Sequence, residues 1–216
     1  ERMSPPSGPG TPELLDRALA TEPEAFDPTT ERILDAALEQ FELTGIRRSS
    51  VEDVARRAGV TRVTVYRRFA RKDALVDAVV VRECRRAIAA VDARISPIAD
   101  AEERTVEGFV AMLDAVRSHP LVNRLFAVEP ASLMRALTVE GGPVIALGTA
   151  YCAEQIRRGQ REGQLPTYDP EPVAEILARL AHSILLAPEG GIPIGDERAA
   201  RRFAREHLAP IVARSG

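Results

Sequence analysis

Tryptophan is absent from the 216 residues, aromatics make up only 4%, and cysteine occurs twice. Cys84 and Cys152 stand far apart, and neither has a second Cys or a His at metal-ligand spacing. That excludes a zinc ribbon and a disulfide-stapled scaffold, and predicts reduced, partly buried thiols. No apolar run reaches the ~18 residues of a membrane-spanning helix. No apolar stretch of the secretory type opens the sequence. A cytoplasmic protein without a membrane partner is expected. Nucleophile-elbow (GxSxG), dinucleotide (GxGxxG) and Gly-Lys phosphate-loop motifs are missing as well. The three histidines, His119, His182 and His207, share no metal spacing. His182, beside Ser183 on an apolar helix, suits a buried or interface histidine better than a catalytic one. No enzyme, metal or cofactor is therefore expected.

What is present forms helices. Ala, Leu, Arg and Glu dominate, and all four favour the α conformation or tolerate it well. The expected fold class is all-α, with about nine helices and no convincing strand. Residues 1–28, rich in Pro, Gly, Ser and Thr, read as a flexible arm in which PELLDRALA could form a short helix. From Thr30 the texture is helical. TERILDAALEQFELTG places apolar residues at 33, 34, 37, 38 and 41, with Gly45 as its stop. SVEDVARRAG follows, with Ser50 and Asp53 spaced as a capping box and Val51, Val54, Ala55 and Ala58 on one face. Gly59 ends it, and Thr61 caps a third short helix in which Val65 and Phe69 face inward. A long helix then covers about Lys72 to Ile95, striped by Val80, Cys84, Ala87, Ile88, Val91 and Ile95. Further helices are expected near 102–118, 142–162, 170–184 and 196–212, with His119-Pro120 and Asp169-Pro170 as breaks or starts.

Charge is unevenly spread. Residues 46–73 hold nine Arg or Lys against three acids, a local +6; the whole chain carries −3, so the remainder carries −9. A basic patch on an acidic protein draws a polyanion to one face. The same segment holds two short helices joined by a Gly-containing turn, which is a helix-turn-helix arrangement. Its second helix enters a DNA major groove while the first crosses the backbone. Arginine can donate two hydrogen bonds to guanine, threonine can touch a thymine methyl or a phosphate, and tyrosine hydroxyls suit phosphates. An amphipathic helix with a solvated basic face would show part of the same pattern.

The segment TTERILDAALEQFELTGIRRSSVEDVARRAGVTRVTVYRRFARKDALVDAVV resembles the N-terminal domain of the TetR family of one-component transcriptional regulators, without a gap, from residue 29 to about 81. The resemblance implies a homodimer, with a DNA-binding domain at 29–73 and a larger effector-binding and dimerisation domain at 74–216. It implies phosphate contacts from Ser50, Tyr66 and Lys72, with Thr61, Arg62 and Thr64 along the groove. Arg67 and Arg68 fall where the family often has a basic residue, His or Tyr. Position 63, often small or Pro in the family, is Val63 here, which puts the operator sequence in question. Arg47 and Arg48 are candidates for further backbone contacts.

Beyond residue 81 the resemblance is weak, though REGQLPTYDPEPVAEIL is similar to the junction before the family's penultimate helix. It implies an effector pocket among Phe109, Met112, Leu113, Val116, Leu125, Phe126, Met134, Leu147 and Tyr151, with Gln155, His182 and Asn123 as polar candidates. It implies a dimer interface in the last two helices, with Leu177, Leu180, Ile184, Phe203 and Ile211 as candidates. The same spacing suits intramolecular core equally. The expected function is a repressor that binds a palindromic double-stranded DNA operator as a homodimer and is released by a small, lipophilic effector. The alternative for the C-terminal half is a helical protein-interaction module with no small-molecule effector.

Overall fold

The computed structural model describes residues 27–138, 142–187 and 189–213, and among these every regular element is a helix. Asp27 opens the first: its carboxylate accepts from the Thr29 and Thr30 backbone N–H groups, and Pro28 fills the first helical position of α1, Pro28–Thr44. Asp27 and Pro28, assigned by sequence to the arm, are thus the cap and first residue of a helix. The rest of the expected arm, including PELLDRALA, lies outside the described residues.

Gly45 ends α1 at φ 84° and ψ 165°, a combination open in practice only to glycine. Helix α2 is Val51–Ala58, and its capping box is complete: the Ser50 hydroxyl oxygen accepts from the Asp53 N–H, and the Asp53 carboxylate accepts from the Ser50 N–H. Gly59 closes it in the left-handed conformation, at φ 66°. Thr61 then caps α3, Arg62–Arg68. One core unites the three helices. Ile33, Leu34, Ala37 and Phe41 of α1 meet Val51, Val54 and Ala55 of α2, and Val65 and Phe69 close it.

The long helix α4, Lys72–Ile95, starts inside that core with Leu75 and Val79 and leaves it toward the larger domain. Arg82 clamps the exit. It is almost fully buried, and its Nη1 lies 3.1 Å from Glu31 and 2.8 Å from Asp35 of α1, while its Nε lies 3.2 Å from Glu83.

The larger domain comprises α5 (Ala101–Ser118), α6 (Pro120–Val128), α7 (Pro130–Leu137), α8 (Gly142–Arg161), α9 (Pro170–Leu186) and a final composite helix α10. Among the described residues three of these six carry side-chain caps, Asp100 on α5, Asp169 on α9 and Asp196 on α10. Helix α10 runs Glu197–Phe203, widens into a π turn over Ala204–Leu208, and resumes over Ala209–Ala213. Pro210 supplies the reason for the widening: its ring has no N–H and would strike the carbonyl one turn back in a regular helix. Helices α8 and α9 approach closely at Gly148, where an added Cβ would meet the Ala178 Cβ at 3.3 Å.

The two domains share packing. Leu121 and Leu125 of α6 and Leu137 of α7 belong to the same buried cluster as the three N-terminal helices. Polar contacts reinforce this seam. Glu129 Oε1 accepts from the Arg47 backbone N–H at 2.8 Å, and Arg124 Nη2 donates to the Leu43 carbonyl at 2.9 Å.

Candidate functional site

The basic segment splits into residues that face solvent and residues that hold the fold. On α3, Val65 is buried, whereas Thr61, Arg62, Val63, Tyr66 and Arg67 are exposed and Thr64 is half-buried. Val63 is 75% exposed, unusual for an aliphatic side chain with a core nearby. The face is pre-organised. The Thr61 hydroxyl oxygen accepts from the Thr64 N–H at 3.2 Å. Arg62 lies over the Tyr66 ring, 5.1 Å from its centroid, and pairs with Glu52 of α2. Arg47 and Arg48 are exposed in the turn before α2, on which Ser50 is the cap.

Two of the predicted contacts have other work in the fold. Arg68 turns back to α1: its Nε donates to the Thr30 hydroxyl at 2.8 Å and its Nη2 to Asp27 Oδ1 at 3.0 Å. That guanidinium, with the Thr30 hydroxyl, holds the Asp27 carboxyl well below the usual carboxylate range. A depressed carboxyl adds its stability above its unfolded value of ~4 and loses it only as pH falls toward the folded value, so the tie is intact at neutral pH. Lys72 donates to the carbonyls of Ile46, at 2.5 Å, and Arg47, at 3.4 Å, fastening the α1–α2 turn to α4. Sequence reading missed Ser49, which is buried and donates to the Gly45 carbonyl at 2.6 Å. The doubled serine before α2 was its only signal.

Below this domain lies an elongated cavity of ≈ 390 Å³. The apolar stripe of α4 forms one wall, from Val76 through Val80, Cys84, Ile88 and Val91 to Ile95. Of the predicted pocket residues, Phe109, Met112 and Val116 line it from α5, and Leu125 from α6. Leu147, Tyr151 and Gln155 line it from α8, and His182 from α9. Leu113 and Phe126 do not line it. Leu113 packs with Ile184, Ala200, Ala204 and Leu208, and Phe126 packs against the N-terminal core. Met134 and Asn123 are exposed. Ile46, in the α1–α2 turn, reaches the cavity from above.

Both thiols are half-buried on the cavity wall, and burial pushes each up to about 11, with Glu83 adding to the effect at Cys84. They are therefore protonated and poorly nucleophilic at neutral pH.

The candidate interface residues divide. Ile184 is buried within its own chain. Leu177 and Leu180 are half-buried and line the cavity. Phe203 lies 5.8 Å, centroid to centroid, from Phe109. Ile211 is exposed, as is Ile176, which sequence reading did not select.

Comparison with known proteins agrees with this geometry. The family described as bacterial regulatory proteins, tetR family, matches residues 33–79, the three N-terminal helices and the start of α4. An HTH-type transcriptional regulator of Mycobacterium tuberculosis is 28% identical over 185 residues, 84% of each chain. The HTH-type transcriptional regulator UidR of Escherichia coli is 25% identical over 160 residues, covering 73% of this chain and 80% of that one. Among solved structures, the TetR family repressor AlkX from Dietzia sp. superposes with a TM-score of 0.68 at 22% identity, over 88% of this chain and 97% of that one. Among the described residues no helix is long and apolar enough to cross a membrane.

Proposed function

The chain belongs to the TetR family of DNA-binding transcription regulators, and from that premise we propose that it is a repressor. It binds a palindromic operator as a homodimer through α3 and is released by a small lipophilic effector held in the cavity. The observation that carries this reading is the exposed face of Thr61, Arg62, Val63, Thr64 and Tyr66 on a helix whose opposite side is core. Arg47, Arg48 and Arg67 extend it as a positive field for phosphates, and Ser50 brings the α2 N-terminus to the backbone. Lys72 keeps one donor beyond its two carbonyls, enough for a phosphate oxygen. The repressor assignment takes support from AlkX, a structural neighbour named as a repressor.

Dimerisation is assigned to α9 and α10, where Ile176 and Ile211 place exposed apolar surface on the two helices that close the fold. Leu177 and Leu180, which line the cavity, and Phe203, which packs on Phe109, lie on the same two helices. A two-fold dimer presents two copies of α3 to half-sites about one helical turn of DNA apart, or slightly more.

Effector control follows from α4. The helix is cavity wall along one face and part of the DNA-binding core at its start. A ligand that favours one position of that wall therefore shifts the population of DNA-binding-domain spacings.

Fluorescence anisotropy on DNA from upstream of the gene tests the reading. Binding should resist random competitor DNA and weaken steeply with salt, log K falling with a slope of about −0.9 per phosphate contact. Arg47→Ala and Arg48→Ala should each flatten that slope by about 1. Equal affinity for random DNA and slopes unchanged in both variants would refute the assignment.

A further inference from the structure

Five buried side-chain atoms among the described residues have no hydrogen-bond partner, and three of them belong to cavity-lining residues: Gln155 Oε1, Arg104 Nη2 and His119 Nδ1. A buried polar atom left unpaired costs free energy that a bound group can recover. Around Gln155 the chemistry of the missing partner can be read from the hydrogen bonds.

Gln155 Nε2 lies 3.0 Å from Asp92 Oδ1, and the Tyr151 hydroxyl lies 3.3 Å from the same oxygen. A carboxylate only accepts. Asp92 therefore requires the amide nitrogen of Gln155, which fixes the amide and turns Oε1 away. It also takes the single proton of Tyr151, leaving that oxygen with lone pairs alone. The Ser96 hydroxyl donates to Asp92 Oδ2 at 3.0 Å and completes a ring of donors around the acid. Burial, then the charge of Asp92, raises the Tyr151 phenol far above its ordinary value, so its proton stays in place.

Arg104 belongs to the same polar end. It is only 4% exposed, and its Nη1 donates to the carbonyls of Ile98 and Ala99 and to Glu162. Glu162 also takes Arg158 Nε at 2.9 Å, and Arg158 Nη2 donates to the Ser96 carbonyl at 3.1 Å. The unpartnered Arg104 Nη2 is a donor whose charge Glu162 offsets. The rest of the wall is mostly hydrocarbon. Along α4 it extends from Val76 to Ile95, about 28 Å at 1.5 Å per residue.

We propose that the cavity takes an elongated apolar molecule ending in a hydroxyl, which donates to Gln155 Oε1. The site discriminates against the same chain capped as an acceptor-only ether or as a carboxylate, which would face Gln155 Oε1 and the acid behind it. This selectivity rests on the reading of the cavity as the effector site.

Isothermal titration of the full chain with 1-alkanols of eight to fourteen carbons, the matching alkyl methyl ethers and the matching carboxylates tests it. At the best-fitting length the alcohol should bind about tenfold tighter than either analogue, the worth of one buried hydrogen bond. Gln155→Leu should bring alcohol and ether within about twofold of each other while chain binding persists. Asp92→Asn, which lets the Gln155 amide turn over, should move the preference toward the ether. The wild-type comparison decides alone if either variant fails to fold. Equal binding of alcohol and ether would overturn the head-group assignment and leave the effector site standing. Tightest binding by the carboxylate would overturn it in favour of Arg104. Absence of saturable binding by every probe would overturn the effector-site reading along with it.

Discussion

Val63→Glu should lower operator affinity by two orders of magnitude or more while leaving the fold as stable as before. Val63 stands at the second position of α3, 75% exposed. Nothing in the core depends on it, and a carboxylate in the first turn suits the positive end of a helix. Surface changes of this kind leave stability within about 0.5 kcal/mol. On DNA the same carboxylate would sit among phosphates and base-edge acceptors, where like-charge juxtaposition costs several kcal/mol and each 1.4 kcal/mol is tenfold. Thermal unfolding and anisotropy on one preparation read both halves. A variant that unfolds normally and binds normally would remove α3 from the interface.

Gly45→Ala should destabilise the protein by about 2–3 kcal/mol, seen as a fall in Tm of roughly 5–10 °C. Two causes add. The backbone at φ 84° and ψ 165° is strained for any residue with a Cβ. An added Cβ would also collide with the Glu129 carboxylate, which then could not keep its bond to the Arg47 N–H. The damage falls on the seam between the domains, so DNA affinity should drop as well, because Arg47 and Arg48 belong to the turn that seam positions. If Tm were unchanged, the Glu129 contact would not be part of the native packing.

The DNA-binding helices were legible because their signals are local. Ser50 with Asp53, Gly59 and Thr61 each punctuate the chain within a few residues of the element they end or begin. Arg68 was not legible: its partners Asp27 and Thr30 lie about forty residues away, so spacing placed it on the basic face while the fold uses it as a tie. The same limit explains Leu113 and Phe126. Periodicity identifies an apolar face and is silent on which neighbour fills it, so Leu113 went to the α10 side and Phe126 to the N-terminal core. The α4 stripe reads in sequence as core, yet it is the wall of a cavity. Ile184 shares its spacing with residues at the surface of α9 but is covered by its own chain. The polar end of the cavity could be read only in part. Tyr151 and Gln155 sit one helical turn apart on α8, but Asp92, which orients both, lies far off in sequence.

Selection of genomic fragments by the purified chain, run beside Tyr66→Ala, puts the central claim to the most direct test. Tyr66 is exposed on α3, stacked under Arg62, and away from the core. The account predicts that wild type enriches a small set of fragments sharing an inverted repeat, and that Tyr66→Ala, folded to the same extent, enriches none of them. Enrichment of the same fragments by both proteins, or of none by wild type with and without alcohols in the cavity, would contradict it.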